Sequence, residues 1–334
     1  MRRLVWLAIV LAVAWCAWWA IAAQSLRSAT HEWLGDRRSE SWQAEAADVA
    51  VNGFPLTLNL TLTEPALADP DTGVAFRTET LSLRSPAWWP GNIDVTLPAQ
   101  AFIIATPLET FSVALQNART FLRLRSGPAS ELALAGVSSD AWQVTATAGP
   151  IWAANGLALT MQQSADSLST YTFDAAAPGF RPGGAIREAL RIPQDWPVTF
   201  DSLTALGIIT FDRPIDRYAV EKARPQPRQI TLQLAEAVWG ALLLRSSADL
   251  TVSENGLISG QLSLQARNWQ DMLNLAEASG ALPSSIRPQI ENILAALARG
   301  SGNQNTLDIT IEARDGSLFM GFIPLGQLPP LVLR

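Results

Sequence analysis

The chain has 334 residues, 48% of them hydrophobic and 16% charged, with a formal net charge of -6. That length and apolar content suffice for one large or two ordinary packed domains and exclude a disordered chain. The negative balance deepens once Arg2 and Arg3 are set aside, which argues against nucleic acid as a partner. Lys222 is the only lysine, a usage that reflects compositional bias rather than function. The single cysteine, Cys16, sits inside the apolar amino-terminal run. No disulfide, thiolate metal site or thiol nucleophile is therefore expected in the remainder. Lipid attachment at Cys16 is disfavoured because the residue before it, Trp15, is bulky.

From Leu4 to Ala23 the chain carries no charge. As a helix this run would rise roughly 30 Å, the thickness of a bilayer's hydrocarbon core. It predicts a transmembrane signal-anchor over residues 1–23. The apolar region of a cleavable signal peptide is shorter, about 7–15 residues. An uncleaved anchor is therefore favoured, although Ala20-Ile21-Ala22 resembles a cleavage site. Arg2 and Arg3 stand before the run without a compensating acid, whereas Arg27, Glu32, Asp36, Arg37 and Arg38 after it are mixed in sign. The positive-inside rule then places the amino end in the cytoplasm and exports the body. Trp6, Trp18 and Trp19 suit an interfacial aromatic belt. Leu26, Thr30, Trp33 and Leu34 recur at helical spacing, predicting a juxtamembrane helix over 24–38 that ends near Gly35.

Residues 39–334 read as a β-rich exported body. Leu56 to Leu62 alternates apolar and polar residues, a period of two that fits only a strand. Shorter runs of this kind occur at Val74 to Leu83, Ile93 to Leu97, Phe121 to Arg125, Trp142 to Ala146 and Leu157 to Met161. They return at Ile230 to Leu234, Asp249 to Val252, Leu262 to Ala266 and Leu307 to Ala313. Asn155-Gly156, Asn255-Gly256 and Asp315-Gly316 supply hairpin turn chemistry. Two helices are expected near the end. One is N-capped by Asn268 and carries Trp269, Met272, Leu273 and Ala276. The other carries Ile286, Ile290, Ile293, Leu294 and Leu297 before Gly300; each apolar stripe should cover a sheet. The fold class is thus mainly β with a few helices: an antiparallel sheet, curved or groove-like, under two C-terminal amphipathic helices. The Pro- and Gly-rich stretch 178–197 offers a place to divide the body.

The sequence carries few groups arranged for catalysis or metal binding. His31 is the only histidine and lies in the juxtamembrane helix, so a Ser-His-Asp triad in the body lacks its base and a histidine metal site is excluded. The stretch Pro178 to Gly184 is glycine-rich but has the wrong spacing for a phosphate loop. Asp71-Thr72-Gly73 matches the local motif of aspartic proteases. It follows Asp69-Pro70 rather than an apolar strand and has no second copy, so it reads as a turn. Paired carboxylates for glycoside hydrolysis depend on distances no sequence provides. Trp88-Trp89, between Pro86 and Pro90, reads first as packing, with an exposed loop touching lipid headgroups or sugars as the alternative. No catalytic, cofactor-binding or metal residue is therefore assigned, and no cofactor is expected.

Val51-Asn52-Gly53-Phe54-Pro55, running through Leu60 to Pro65, resembles the opening of a bacterial family catalogued as domain of unknown function 2125. Asn268-Trp269 with Met272-Leu273, and then Asp315-Gly316 to Gly326, resemble its end. The chain departs from the pattern at Phe322, where members often show a Gly-Pro step. The resemblance implies a membrane-anchored exported protein with no assigned reaction. The expectation is a non-enzymatic, single-pass protein of the bacterial inner membrane, with a cytoplasmic amino terminus and a periplasmic body. Its sheet would present a surface or groove to a lipid-like ligand or an envelope protein. An envelope-polymer hydrolase using paired carboxylates, and a structural subunit of a membrane complex, stand as alternatives.

Overall fold

A computed structural model describes residues 1–221, 224–280, 282–300 and 304–333; Lys222 lies outside them. The chain opens with one long helix, α1 (Arg2–Ser39), long and apolar enough to cross a membrane. It does not stop at Gly35. Leu34 and Arg37 are buried against the body, and these contacts outweigh the roughly 1 kcal/mol that one helical glycine costs.

After α1 the chain makes the short strand β1 (Gln43–Glu45) and then passes back and forth between two sheets. It lays β2 (Asp48–Asn52) and β3 (Thr57–Thr63) in the larger sheet, then β4 (Ala66–Asp69) and β5 (Val74–Arg77) in the smaller. It returns with β6 (Thr80–Pro86) and β7 (Asn92–Thr96), and crosses again with β8 (Phe102–Ala105) and β9 (Thr110–Gln116). The pattern repeats with β10 (Arg119–Leu124) and β11 (Leu132–Ser139), then β12 (Ala141–Ala146) and β13 (Gly149–Ala154). It closes with β14 (Leu157–Gln163) and β15 (Thr170–Ala176) in the larger sheet and β16 (Arg181–Pro182) in the smaller. Beyond the short helix α2 (Gly184–Ala189) every strand joins the larger sheet. These are β17 (Ser202–Phe211), β18 (Pro227–Trp239), β19 (Leu242–Val252), β20 (Ile258–Arg267), β21 (Thr306–Arg314), β22 (Ser317–Met320) and β23 (Ile323–Gln327). Helix α3 (Tyr218–Glu221) precedes β18, while α4 (Trp269–Ala278) and α5 (Arg287–Gly300) follow β20. Among the described residues the sheets have 8 and 15 strands, and every neighbouring pair is antiparallel.

Most crossings between the sheets are very short: Glu64-Pro65, Thr78-Glu79, Asn117-Ala118, Asp140 and Asn155-Gly156. Each arm of a hairpin is therefore one long strand bent sharply, and the bends line up as a crease with the hairpin turns at the far rims. The left-handed φ of Glu64 (46°) and Asn117 (50°) marks two of these bends. Val74 to Leu83 is consequently two strands in different sheets, not one, because the chain breaks at Thr78-Glu79. Asn155-Gly156 is likewise a crossing and not a hairpin. Asp315 (φ 46°) and Gly316 (φ 83°) do form the expected tight hairpin between β21 and β22, and Asn255-Gly256 lies in the turn between β19 and β20.

The apolar faces of the two sheets meet inside the crease. Ala44 and Leu67 of the smaller sheet share a core with Val49, Leu60 and Leu62 of the larger and with Leu26, Trp33 and Leu34 of α1. At the far end, α4 and α5 lay Trp269, Met272, Leu273, Leu294 and Ala298 on Leu244, Ala266, Leu307 and Ile309, the expected covering. Asn268 stands at the start of α4 but makes no side-chain cap. Its backbone is left-handed, and its amide donates instead to the Ala241 carbonyl. The stripe of α5 is rotated from the expected one: Leu294, Ala295 and Ala298 face the sheet, while Ile286, Ile293 and Leu297 remain exposed. The stretch 178–197 leaves the smaller sheet while β15 and β17 pair directly across it.

Candidate functional site

Between the parts covered by α1 and by α4–α5, the inner face of the larger sheet is open. Strand periodicity puts alternate residues there, and they are apolar on strand after strand. Leu122 faces Ala135, Val137 faces Leu159, Leu159 faces Ala175 and Met161 faces Phe173. The row continues as Ala175 beside Ala205, Ala205 beside Ala235 and Ala237 beside Leu244. The outer face of the same strands carries Arg123, Gln162, Thr172, Asp174, Glu236 and Arg245.

Two apolar cavities lie along this row. One, of ≈ 360 Å³, spans Leu122, Ala135, Val137 and Met161; the other, of ≈ 270 Å³, spans Leu157, Leu203, Ala205, Ala237 and Leu244. They share Leu159 and Ala175, so they form one trough across seven adjacent strands, β10 to β19. At a spacing of about 4.8 Å this is a run of roughly 29 Å. Its depth comes from the small floor residues Ala175, Ala205, Ala235 and Ala237. Leu159 is 42% exposed although it lies mid-sheet. A packed interior would fill that space with side chains.

A row of aromatic rings packs beside the strand ends near Leu157 and Leu203. Trp142 of β12 lies 6.1 Å from Phe180, Phe180 lies 5.5 Å from Phe200, and Phe200 stacks on Trp239 of β18 at 4.6 Å. The indole N–H groups of Trp142 and Trp239 donate to the carbonyls of Gly156 and Pro197. At the opposite rim the fully buried Tyr171 accepts the Ile215 N–H at 3.0 Å. Burial pushes its phenol upward in pKa, against the hydrogen bonds from Ile215 and Gln163. Asp69, at the rim of the smaller sheet, reaches Arg224 at 3.5 Å, tying that rim to the segment leading into β18. Burial raises the Asp69 pKa. Hydrogen bonds from the backbone of Asp71 and Thr72 and the Thr72 hydroxyl, with Arg224 nearby, more than offset this and hold it below the usual range.

The remaining sequence candidates scatter. His31 is exposed on α1. Asp71-Thr72-Gly73 forms the turn between β4 and β5, with Gly73 at φ 68°. The glycine-rich stretch contributes β16, whose Arg181 and Pro182 pair with β13. Trp88-Trp89 divides: Trp89 packs over Gly91, whereas Trp88 is 64% exposed. Glu45, Glu64 and Glu79 line a polar hollow of ≈ 600 Å³ beside Arg77 at the crease, and all four side chains are exposed. Among the described residues no group of three or more His, Cys, Asp or Glu is arranged to hold a metal ion. A groove was expected from the sequence but its lining residues were not, because the floor is alanine, whose alternation is a faint signal in runs such as Leu132 to Val137.

The model of a family described as an uncharacterized protein conserved in bacteria (DUF2125) matches residues 19–329. The chain belongs to the DUF2125 family. The matched span begins at Trp19, so it takes in most of the part of α1 that packs on the body but leaves out Trp15 and most of the apolar run. No curated protein and no solved structure matches the chain.

Proposed function

We propose that this DUF2125 protein is a non-enzymatic component of the bacterial envelope, anchored in the inner membrane by α1, whose periplasmic body holds acyl chains of lipid in the inner-face trough. The observation that carries this reading is the alanine-floored apolar row, left open between two stretches of the same face that are covered. Burying an acyl chain there would contribute about 0.8 kcal/mol per methylene, so a trough of this length suits long aliphatic ligands. Trp15 and Trp19 support an uncleaved anchor, because both donate hydrogen bonds to the body and cleavage after Ala22 would remove them.

A photo-crosslinking residue at Leu159 of the full chain, in bacterial membranes, should capture diacyl lipid. One at the outer-face Thr172 should not, and Ala205→Trp should abolish capture at Leu159 without lowering the melting temperature. Equal capture at the two positions would overturn the reading. The hydrolase alternative keeps one foothold, the hollow of Glu45, Glu64 and Glu79. Turnover of an envelope polysaccharide that disappears in Glu64→Gln would favour it.

A further inference from the structure

The apolar run of α1 and the first turns of the body overlap in height. Trp15 donates its indole N–H to the Pro55 carbonyl at 2.9 Å, and Trp19 donates to the Thr57 carbonyl at 2.9 Å. The Trp19 ring meets Phe54 edge-on at 5.4 Å. Ala23 packs with Leu58 and Ala87, and the Ala87 N–H donates to the Leu56 carbonyl at 2.9 Å, joining the β2–β3 and β6–β7 turns. Around this junction Phe54 is 54% exposed, Leu56 60% and Trp88 64%.

These contacts leave α1 two choices. If the membrane ended below Trp15, only Leu4 to Ala14 would remain to span it, roughly 16 Å of helix against a core of about 30 Å. If the whole run to Ala23 is used, Trp15 and Trp19 lie roughly 12 and 6 Å inside the hydrocarbon boundary, and the two turns bonded to them lie there too. The first choice leaves half the bilayer unspanned. The second costs little, because the groups carried into the leaflet are Phe54, Leu56 and Trp88, which are apolar or suited to the interface. Unpaired backbone carbonyls at Pro55 and Thr57 would be costly in lipid, and the two indoles satisfy them.

We infer that the body is docked on its own membrane, with the β2–β3 and β6–β7 turns sunk among the acyl chains of the leaflet on the body's side. Phe54, Leu56 and Trp88 are the inserted residues. This inference rests on α1 spanning the membrane and is independent of lipid in the trough. Docking also sets the α1-covered end of the creased sheet at the leaflet, so the body cannot swing freely as on a stalk.

The test uses full-length protein with Cys16→Ala, reconstituted in phosphatidylethanolamine and phosphatidylglycerol vesicles. Single cysteines replace Val10, Phe54, Trp88 or Ser263, each carrying an environment-sensitive nitrobenzoxadiazole label. Labels at 54 and 88 should be quenched by lipids spin-labelled on the acyl chain and be reduced by aqueous dithionite several-fold more slowly than the label at outer-face 263. Rapid reduction at 54 and 88 with protection at 10 would overturn the docking and leave the anchor standing. Rapid reduction at 10 as well would overturn the anchor itself. Melting curves for each variant confirm that the body is folded when read; Phe54, Trp88 and Ser263 are all exposed, so their replacement should not move them.

Discussion

Two stretches of one sheet face show how a common pattern can serve opposite ends. Under α1, Val49, Leu58 and Leu60 are buried by a helix and a second sheet. Seven strands wide in the middle, the same alternation leaves Leu159 and its alanine neighbours open. The side chains differ in size more than in polarity. Cover, not composition, separates a core from a trough: Ala266, under α4, is buried, whereas Ala175 and Ala205 line the open stretch.

The sharpest way to break this comparison is to delete equal volumes from the two stretches. Leu60→Ala removes a side chain packed on all sides and should cost about 2–4 kcal/mol. Leu159→Ala should cost under about 1 kcal/mol, since much of that side chain already faces out. Equal losses in detergent melts of the two variants would show that the trough is packed. An intermediate effect is expected for Gly207→Ala. A Cβ there would lie 2.5 Å from the Thr231 carbonyl and 2.8 Å from the Phe173 ring, so about 1–3 kcal/mol should be lost. Phe173 would shift in the trough, and lipid capture at Leu159 should fall with stability.

The smallest effect concerns the tie across the rims. The Asp69 carboxyl is held below its ordinary value of 3.8, so its contribution to stability is fully present above that pH. It is lost as pH falls through the lower folded value. The slope of melting temperature against pH below about 4 should therefore flatten in Asp69→Asn. An unchanged slope would show that the tie contributes nothing.

Much of the strand content was legible because Thr57 to Thr63 and Thr306 to Arg314 alternate so clearly. The strands Leu132–Ser139, Gly149–Ala154 and Ser202–Phe211 were missed, since alanine, glycine and serine blur the contrast between faces. The bends were misread at Thr78-Glu79 and Asn155-Gly156. A chain that turns a corner uses the same local residues as one that reverses, and only its pairing partners tell the two apart. Asn268 shows the converse: a good capping residue was drawn off by the Ala241 carbonyl, a contact between distant parts of the chain.

By itself the sequence determined what local chemistry can settle. It specified an apolar helix of spanning length, the antiparallel strand class, the tight turn at Asp315-Gly316, and a single histidine confined to the first helix. These depend on residue type and spacing within a few residues. Only the tertiary structure decided which sheet each strand joined, where the crease ran, and which part of the apolar face stayed uncovered. It also brought Trp15 and Trp19 against a turn some forty residues away. Such outcomes are set by competition among many equally apolar surfaces for too few covers, and that competition is resolved only when the whole chain packs.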